Sequence, residues 1–247
     1  MRIGVVGNSH ATAVRRDARA RASEGSHTFE FLVDPGGVAP RIEVRDGKLV
    51  RVERKWAAQA GELPGRVNPA VCDAIIFAAA GLPAHRIGWP NHPLNYLLHA
   101  GFAAAPYASH QSVTGEVLAL ALQRRLQELP NIQALRIVRS VFGGPIVIFT
   151  APMPSSRIKV GQPEIASDLS VQYGENLLTF IRWYYDVQTK FICEEARAID
   201  AHALLPPEPY RKAGFTPEEF CIRDGWHMNE AYWRIMLDQA LDLLSRA

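Results

Sequence analysis

Residues Ala74 to Ala80, Ala-Ile-Ile-Phe-Ala-Ala-Ala, form an unbroken apolar run. A strand without polar alternation needs cover on both faces, and such strands lie inside parallel sheets flanked by helices. The segment therefore predicts a central, parallel strand. Shorter runs of the same kind occur at Ile3–Gly7, Phe29–Val33, Pro145–Thr150 and Ala203–Leu205. Helical segments alternate with them. Ala11–Ser23 and Val113–Leu129 are rich in helix formers, and Asn229–Leu243 closes the chain. In Gly174–Arg197 the positions Leu177, Phe180, Ile181, Tyr184, Val187 and Phe191 recur at helical spacing. This alternation predicts an α/β fold, a three-layer α/β/α sandwich with a mainly parallel sheet, built as a single domain over residues 1–247.

Two stretches interrupt the pattern. Ile42–Val52 places strand formers on either side of Asp46-Gly47, the signature of a β-hairpin inserted at about residues 40–55, as a flap or sheet edge or as a substrate wall. The second stretch, about 82–111, mixes His85, Trp89, Asn91, His92, Asn95, Tyr96, His99, Tyr107 and His110 with prolines. His85, His92 and His99 are spaced by seven, whereas metal ligands come at closer spacing and with carboxylates, so no metal is expected. The mixture suits either a ligand-binding loop, with His85 and Trp89 as substrate contacts, or a surface excursion with its own small core. Thr216-Pro217-Glu218-Glu219 has the form of a capping box and predicts a short helix.

Charge narrows the classes of partner. The formal net charge is +2, with basic residues spread along the chain, which leaves no footprint for nucleic acid. Arg15, Arg16, Arg19 and Arg21 read as a solvated helix face, with anion binding as the alternative. Cys72, Cys193 and Cys221 are odd in number and unpaired in spacing, as for buried thiols in a reducing compartment. The start of the chain lacks signal-peptide character and no apolar run is long enough for a bilayer. A cytoplasmic protein without membrane partner or cofactor is expected, and the pattern sets no oligomeric state.

The chemistry concentrates at the two ends. Gly7-Asn8-Ser9-His10 follows the first strand and opens a helix, so the Ser9 hydroxyl is expected at the strand's carboxyl end, its N–H aimed at a developing oxyanion. Asp224-Gly225-Trp226-His227 is the only Asp-x-x-His in the chain. It supplies an imidazole base with a carboxylate one turn before it. The two motifs, in this order and at these places, resemble the SGNH hydrolases, the GDSL-like esterases and lipases, in the variant whose first motif reads Gly-Asp-Ser-His. Here Asn8 stands for the usual Asp. The resemblance implies an SGNH/flavodoxin-like fold with Ser9 as nucleophile, His227 as base and Asp224 as its orienting partner. It also implies an oxyanion hole made by the Ser9 N–H, a glycine, Gly36 or Gly37, and an Asn after the third strand. That turn reads Gly81-Leu82-Pro83-Ala84-His85, and Asn91 or Asn95 is the nearest asparagine. His10 joins His85 and Trp89 as a candidate substrate contact.

These readings converge on a serine esterase that cleaves a small-molecule or carbohydrate ester, including O-acetyl groups, through an acyl-enzyme. An acyltransferase with the same triad and a non-catalytic binding protein of the same fold are the related alternatives. A dinucleotide-binding protein, with Asp34 as the ribose acid, is the distant one. There Ser9 and Thr12 occupy positions where glycines must let the pyrophosphate approach.

Overall fold

Parallel pairing joins five strands into one sheet, in the order β10-β9-β6-β1-β2. The first half of the chain supplies β1 (Arg2–Gly7), α1 (Ser9–Ser23), β2 (Thr28–Val33), β3 (Ile42–Arg45), β4 (Lys48–Arg51), β5 (Arg66–Val67), β6 (Ala74–Ala80), β7 (Leu97–His99) and β8 (Gln111–Val113). The second supplies α2 (Gly115–Gln127), α3 (Pro130–Val141), β9 (Ile146–Thr150), α4 (Ser167–Tyr173), α5 (Leu177–Ala198), β10 (His202–Leu204), α6 (Glu208–Ala213) and α7 (Glu230–Leu244). The computed structural model describes residues 1–23, 25, 27–34, 41–52, 64–82, 94–104, 110–156, 158, 167–222, 225 and 227–246. At residues 9, 23, 79, 167, 168, 170 and 211–213 the description covers the backbone alone.

The apolar run Ala74–Ala80 is the middle strand, β6, with β1 on one side and β9 on the other. Alternate residues face opposite layers. Ile3, Val5, Ile76 and Phe149 pack against α1 and α7 through Val14, Tyr232, Trp233 and Met236. Val6, Ile75, Phe77 and Ile148 pack against α2, α3 and α5 through Leu122, Leu135, Phe180 and Tyr184. These side chains are removed from water almost entirely, each contributing about 1.5–3 kcal/mol. The three-layer α/β/α sandwich is as the sequence predicts.

Counted along the sheet, the strand order is that of flavodoxin-like folds. The order reverses between β1 and β6, and a crevice opens beyond the carboxyl ends of strands at such a point. The two ends are Gly7 and Gly81, and the sequence keeps the first of them tight. A Cβ on Gly7 would stand 2.8 Å from the Ala78 carbonyl oxygen and 2.9 Å from the Cβ atoms of Ala11 and Ala78.

The inserted hairpin is present, turning through Asp46 and Gly47, both at positive φ. It is one strand larger than the sequence shows, because β5 adds antiparallel to β4. Ile42, Leu49 and Val67 bury one face of this small sheet. An antiparallel bridge from Leu32 to Gly65 and the Val33 N–H donating to Pro64 O hang it on β2, so the hairpin covers the edge of the main sheet. In the second interruption, β7 and β8 form a two-stranded parallel pair.

Two local features differ from the expectation. The helix predicted over 113–129 is present as α2, and a further helix that the sequence pattern did not predict, α3, starts at Pro130. Proline lacks the N–H an α-helix interior needs but fits its first turn, so it begins the new helix. The capping box at Thr216 does not form. The Thr216 hydroxyl donates to Met153 O, and residues Glu218–Phe220 make a single 3-10 turn without a side-chain cap.

Gly7→Ala is expected to destabilise the chain by about 1–3 kcal/mol through overpacking at the β1–β6 contact. Gly143→Ala, where a Cβ meets nothing within 4 Å, is expected to stay within about 0.5 kcal/mol of the parent. Urea midpoints at unchanged slope measure both.

Candidate active site

The turn out of β1 is fixed by Asn8. Its Oδ1 accepts from the His10 N–H at 3.0 Å and its carbonyl from the Ala11 N–H at 3.0 Å, which caps the start of α1. Asn8 thus has a structural role. Ser9 is the first residue of the helix, where N–H groups have no partner within the helix. Its hydroxyl is outside the described atoms. His10 follows, with its ring centroid 5.3 Å from that of His227 and 5.1 Å from that of Trp233.

His227 comes from the other end of the chain on a short, closely tied loop. Cys221 and Met228 form an antiparallel bridge, inside which the Ile222 N–H donates to His227 O at 2.9 Å and the Gly225 N–H to Ile222 O at 3.0 Å. The Ser155 N–H donates to Gly225 O at 2.9 Å, anchoring the loop to the segment after β9. Behind it, Asn229 caps α7 by accepting from the Tyr232 N–H. α7 then buries Trp233 between His10 and Phe149. Chain ends more than two hundred residues apart are thereby held side by side. Asp224 lies outside the described residues.

Beside the two histidines runs an open groove of about 560 Å³ between α1 and the start of α7, lined by Thr12, Ile222 and Met228 among others. Arg16 and Glu230 pair across it at 2.7 Å. Beyond the end of β1 a neutral imidazole can take a proton from a hydroxyl, and the Ser9 N–H, which the Asn8 cap does not use, can meet an oxyanion.

At the other rim, Gly81 follows β6 at φ +133°, and a Cβ there would stand 2.8 Å from the Gln188 amide. Gln188 Oε1 accepts from the Leu82 N–H, the Tyr184 hydroxyl donates to Leu82 O at 2.8 Å, and Asn131 Nδ2 donates to Gly81 O at 2.9 Å. Burial pushes the Tyr184 hydroxyl well above its ordinary pKa, with Tyr185 adding to the shift, so it stays a donor. This three-residue clamp was not anticipated. Its signal in the sequence is a pair of amides, Asn131 and Gln188, at buried helix positions where apolar residues are the rule.

The remaining sequence candidates divide. Gly81 sits at the rim, whereas Gly36, Gly37, Asn91, His85 and Trp89 lie outside the described residues. Asn95 is buried and its Oδ1 accepts from Gln172 Nε2 at 2.9 Å. His99 is a core residue. Its Nδ1 accepts from the Gly101 N–H, its ring stacks on Phe102 at 4.1 Å, and burial lowers its pKa. Among the described residues no three His, Cys, Asp or Glu side chains gather as metal ligands. Asp34 is buried, with a carboxylate oxygen accepting from the Arg41 N–H, so the dinucleotide alternative finds its ribose acid engaged.

No family model and no curated protein matches the chain. Solved structures do. The extracellular lipase of Streptomyces rimosus superposes with a TM-score of 0.50 at 9% identity, covering 97% of this chain and 99% of the lipase. Phospholipase A1 of Streptomyces albidoflavus gives 0.50 at 12% identity, covering 98% of each chain. The chain shares the fold of these two enzymes, the α/β/α fold that the resemblance to the SGNH hydrolases implies. A carbohydrate esterase of family 2 with its carbohydrate-binding domain, from Corynascus thermopiles, aligns over 100% of this chain and 67% of its own, with a TM-score of 0.45 and 10% identity.

Gln188→Leu removes the acceptor for the buried Leu82 N–H and is expected to cost about 1–3 kcal/mol. Thermal unfolding of the variant beside the parent measures it.

Proposed function

We propose that this chain is a serine esterase. Ser9 attacks the ester carbonyl as His227 takes its hydroxyl proton, and Asp224 holds the imidazole in the productive tautomer. The oxyanion accepts from the Ser9 N–H and from the oxyanion rim assigned to Gly37, Gly81 and Asn91. Collapse of the tetrahedral intermediate expels the alcohol, which takes its proton from His227, and leaves an acyl-enzyme. Water, activated by the same imidazole, then releases the acid. Acetylated carbohydrates are the first substrates to try, on the aromatic and polar character of residues 82–111.

The observation that carries this reading is the 5.3 Å approach of the His10 and His227 rings. It brings the residue that follows Ser9 against the candidate base, beyond the carboxyl end of β1. The lipase and the phospholipase A1 of the same fold are both named for ester cleavage, which supports the reaction class.

Ser9→Ala is expected to lower kcat/KM on p-nitrophenyl acetate and butyrate by about four to six orders of magnitude with folding unchanged. Retention of most of the activity by the variant overturns the mechanism.

A further inference from the structure

The arginines of α1, read from the sequence as a solvated face, have two different surroundings. Arg16 pairs with Glu230, and Arg21 with Asp17 and Asp238. Arg15 and Arg19 instead line a cleft of about 880 Å³ between α1 and the β3–β5 sheet, along the edge of β2. Ala18 and Ala22 on the same wall are small and leave it open.

Register puts more cations on the facing wall. Arg45 stands opposite Lys48 and Val50 opposite Arg66, so Arg45, Lys48 and Arg66 share the outer face of the small sheet, while Ile42, Leu49 and Val67 bury the inner one. Arg51 reaches the same cleft, its Nη1 donating to Val33 O at 2.7 Å. Among the described residues the acids nearby are engaged. Glu30 bonds Arg2 and the Asn68 N–H and also feels the charge of Arg66, and Glu43 pairs with Arg45. Among the described residues Arg15, Arg19, Lys48 and Arg66 have no ion pair within 4 Å.

This arrangement works against the fold. Like charges four apart on a helix, Arg15 and Arg19, and directly opposite across a hairpin, Arg45 and Lys48, are each destabilising. Burial and the charge of Arg19 both push the Arg15 pKa down. Guanidinium forks match the paired oxygens of phosphate-type anions. The floor is apolar, formed by Phe29 and Phe31 with rings stacked at 6.2 Å.

We propose that this cleft binds a small, multiply phosphorylated ligand, its phosphate groups held by Arg15 and Arg19 from α1 and by Lys48 and Arg66 from the small sheet, its apolar body resting on Phe29 and Phe31. The site is independent of the esterase reading, although α1 carries both Ser9 and this wall.

Tripolyphosphate titrated into the full chain at physiological salt, followed calorimetrically, tests it. Saturable one-to-one binding is expected. Two double variants that each span both walls, Arg15→Gln/Arg66→Gln and Arg19→Gln/Lys48→Gln, should each raise Kd about tenfold or more. Arg124→Gln/Arg125→Gln on α2, over the other face of the sheet, should leave Kd within about twofold. Melting curves confirm folding, and if one cleft variant fails to fold the other decides. Absence of saturable binding, or equal weakening by the α2 variant, overturns the proposal. Tighter binding of a DNA duplex or of phosphatidylglycerol vesicles through the same cations overturns it in favour of a macromolecular or membrane partner.

Discussion

The contact on which the rest depends is the one between Gly7 and Ala78, where two parallel strands meet with no side chain between them. A methyl group there would collide with the Ala78 carbonyl and with Ala11. Because it is absent, α1 can begin directly at the strand end, at the point where the strand order reverses. The apolar middle of the sheet fixes where that point is. The loop of His227 is then brought to it by α7, whose Trp233 is buried beneath His10.

The site has three supports of different kinds. On the Ser9 side the holding is local, a capping asparagine and a close strand contact. On the His227 side it is distributed, with the Cys221–Met228 bridge, the Ser155 N–H and the Asn229 cap each fixing part of the loop. The Gly81 rim is held by a third means, buried amides from α3 and α5. Such amides cost free energy when unsatisfied, and their use at one turn marks it as a place where backbone position matters.

Much of this was legible in the chain. The unbroken run Ala74–Ala80 fixed the sheet type, the Asp46-Gly47 turn fixed the hairpin, and the spacing of Leu177 to Phe191 fixed α5. The features that escaped share a cause. β5 is two residues long and exists only because β4 and the edge of β2 offer it hydrogen bonds. The helix α3, which starts at Pro130 directly after α2, was not separately expected. The capping pattern at Thr216 lost to a tertiary hydrogen bond with Met153. At the site, the ends of the chain could be matched by motif, but the clamp of Asn131, Tyr184 and Gln188 follows from which helices pack under Gly81. The cleft of Arg15 and Arg19 likewise depends on register across a second sheet, which charge counting along the sequence does not reveal.

The proposed nucleophile is Ser9, activated by His227. Labelling with a fluorophosphonate followed by peptide mass mapping tests this pairing. One adduct is expected, on Ser9, lost when His227 is replaced by alanine. An adduct on another residue, or Ser9 labelling that is indifferent to His227, contradicts it.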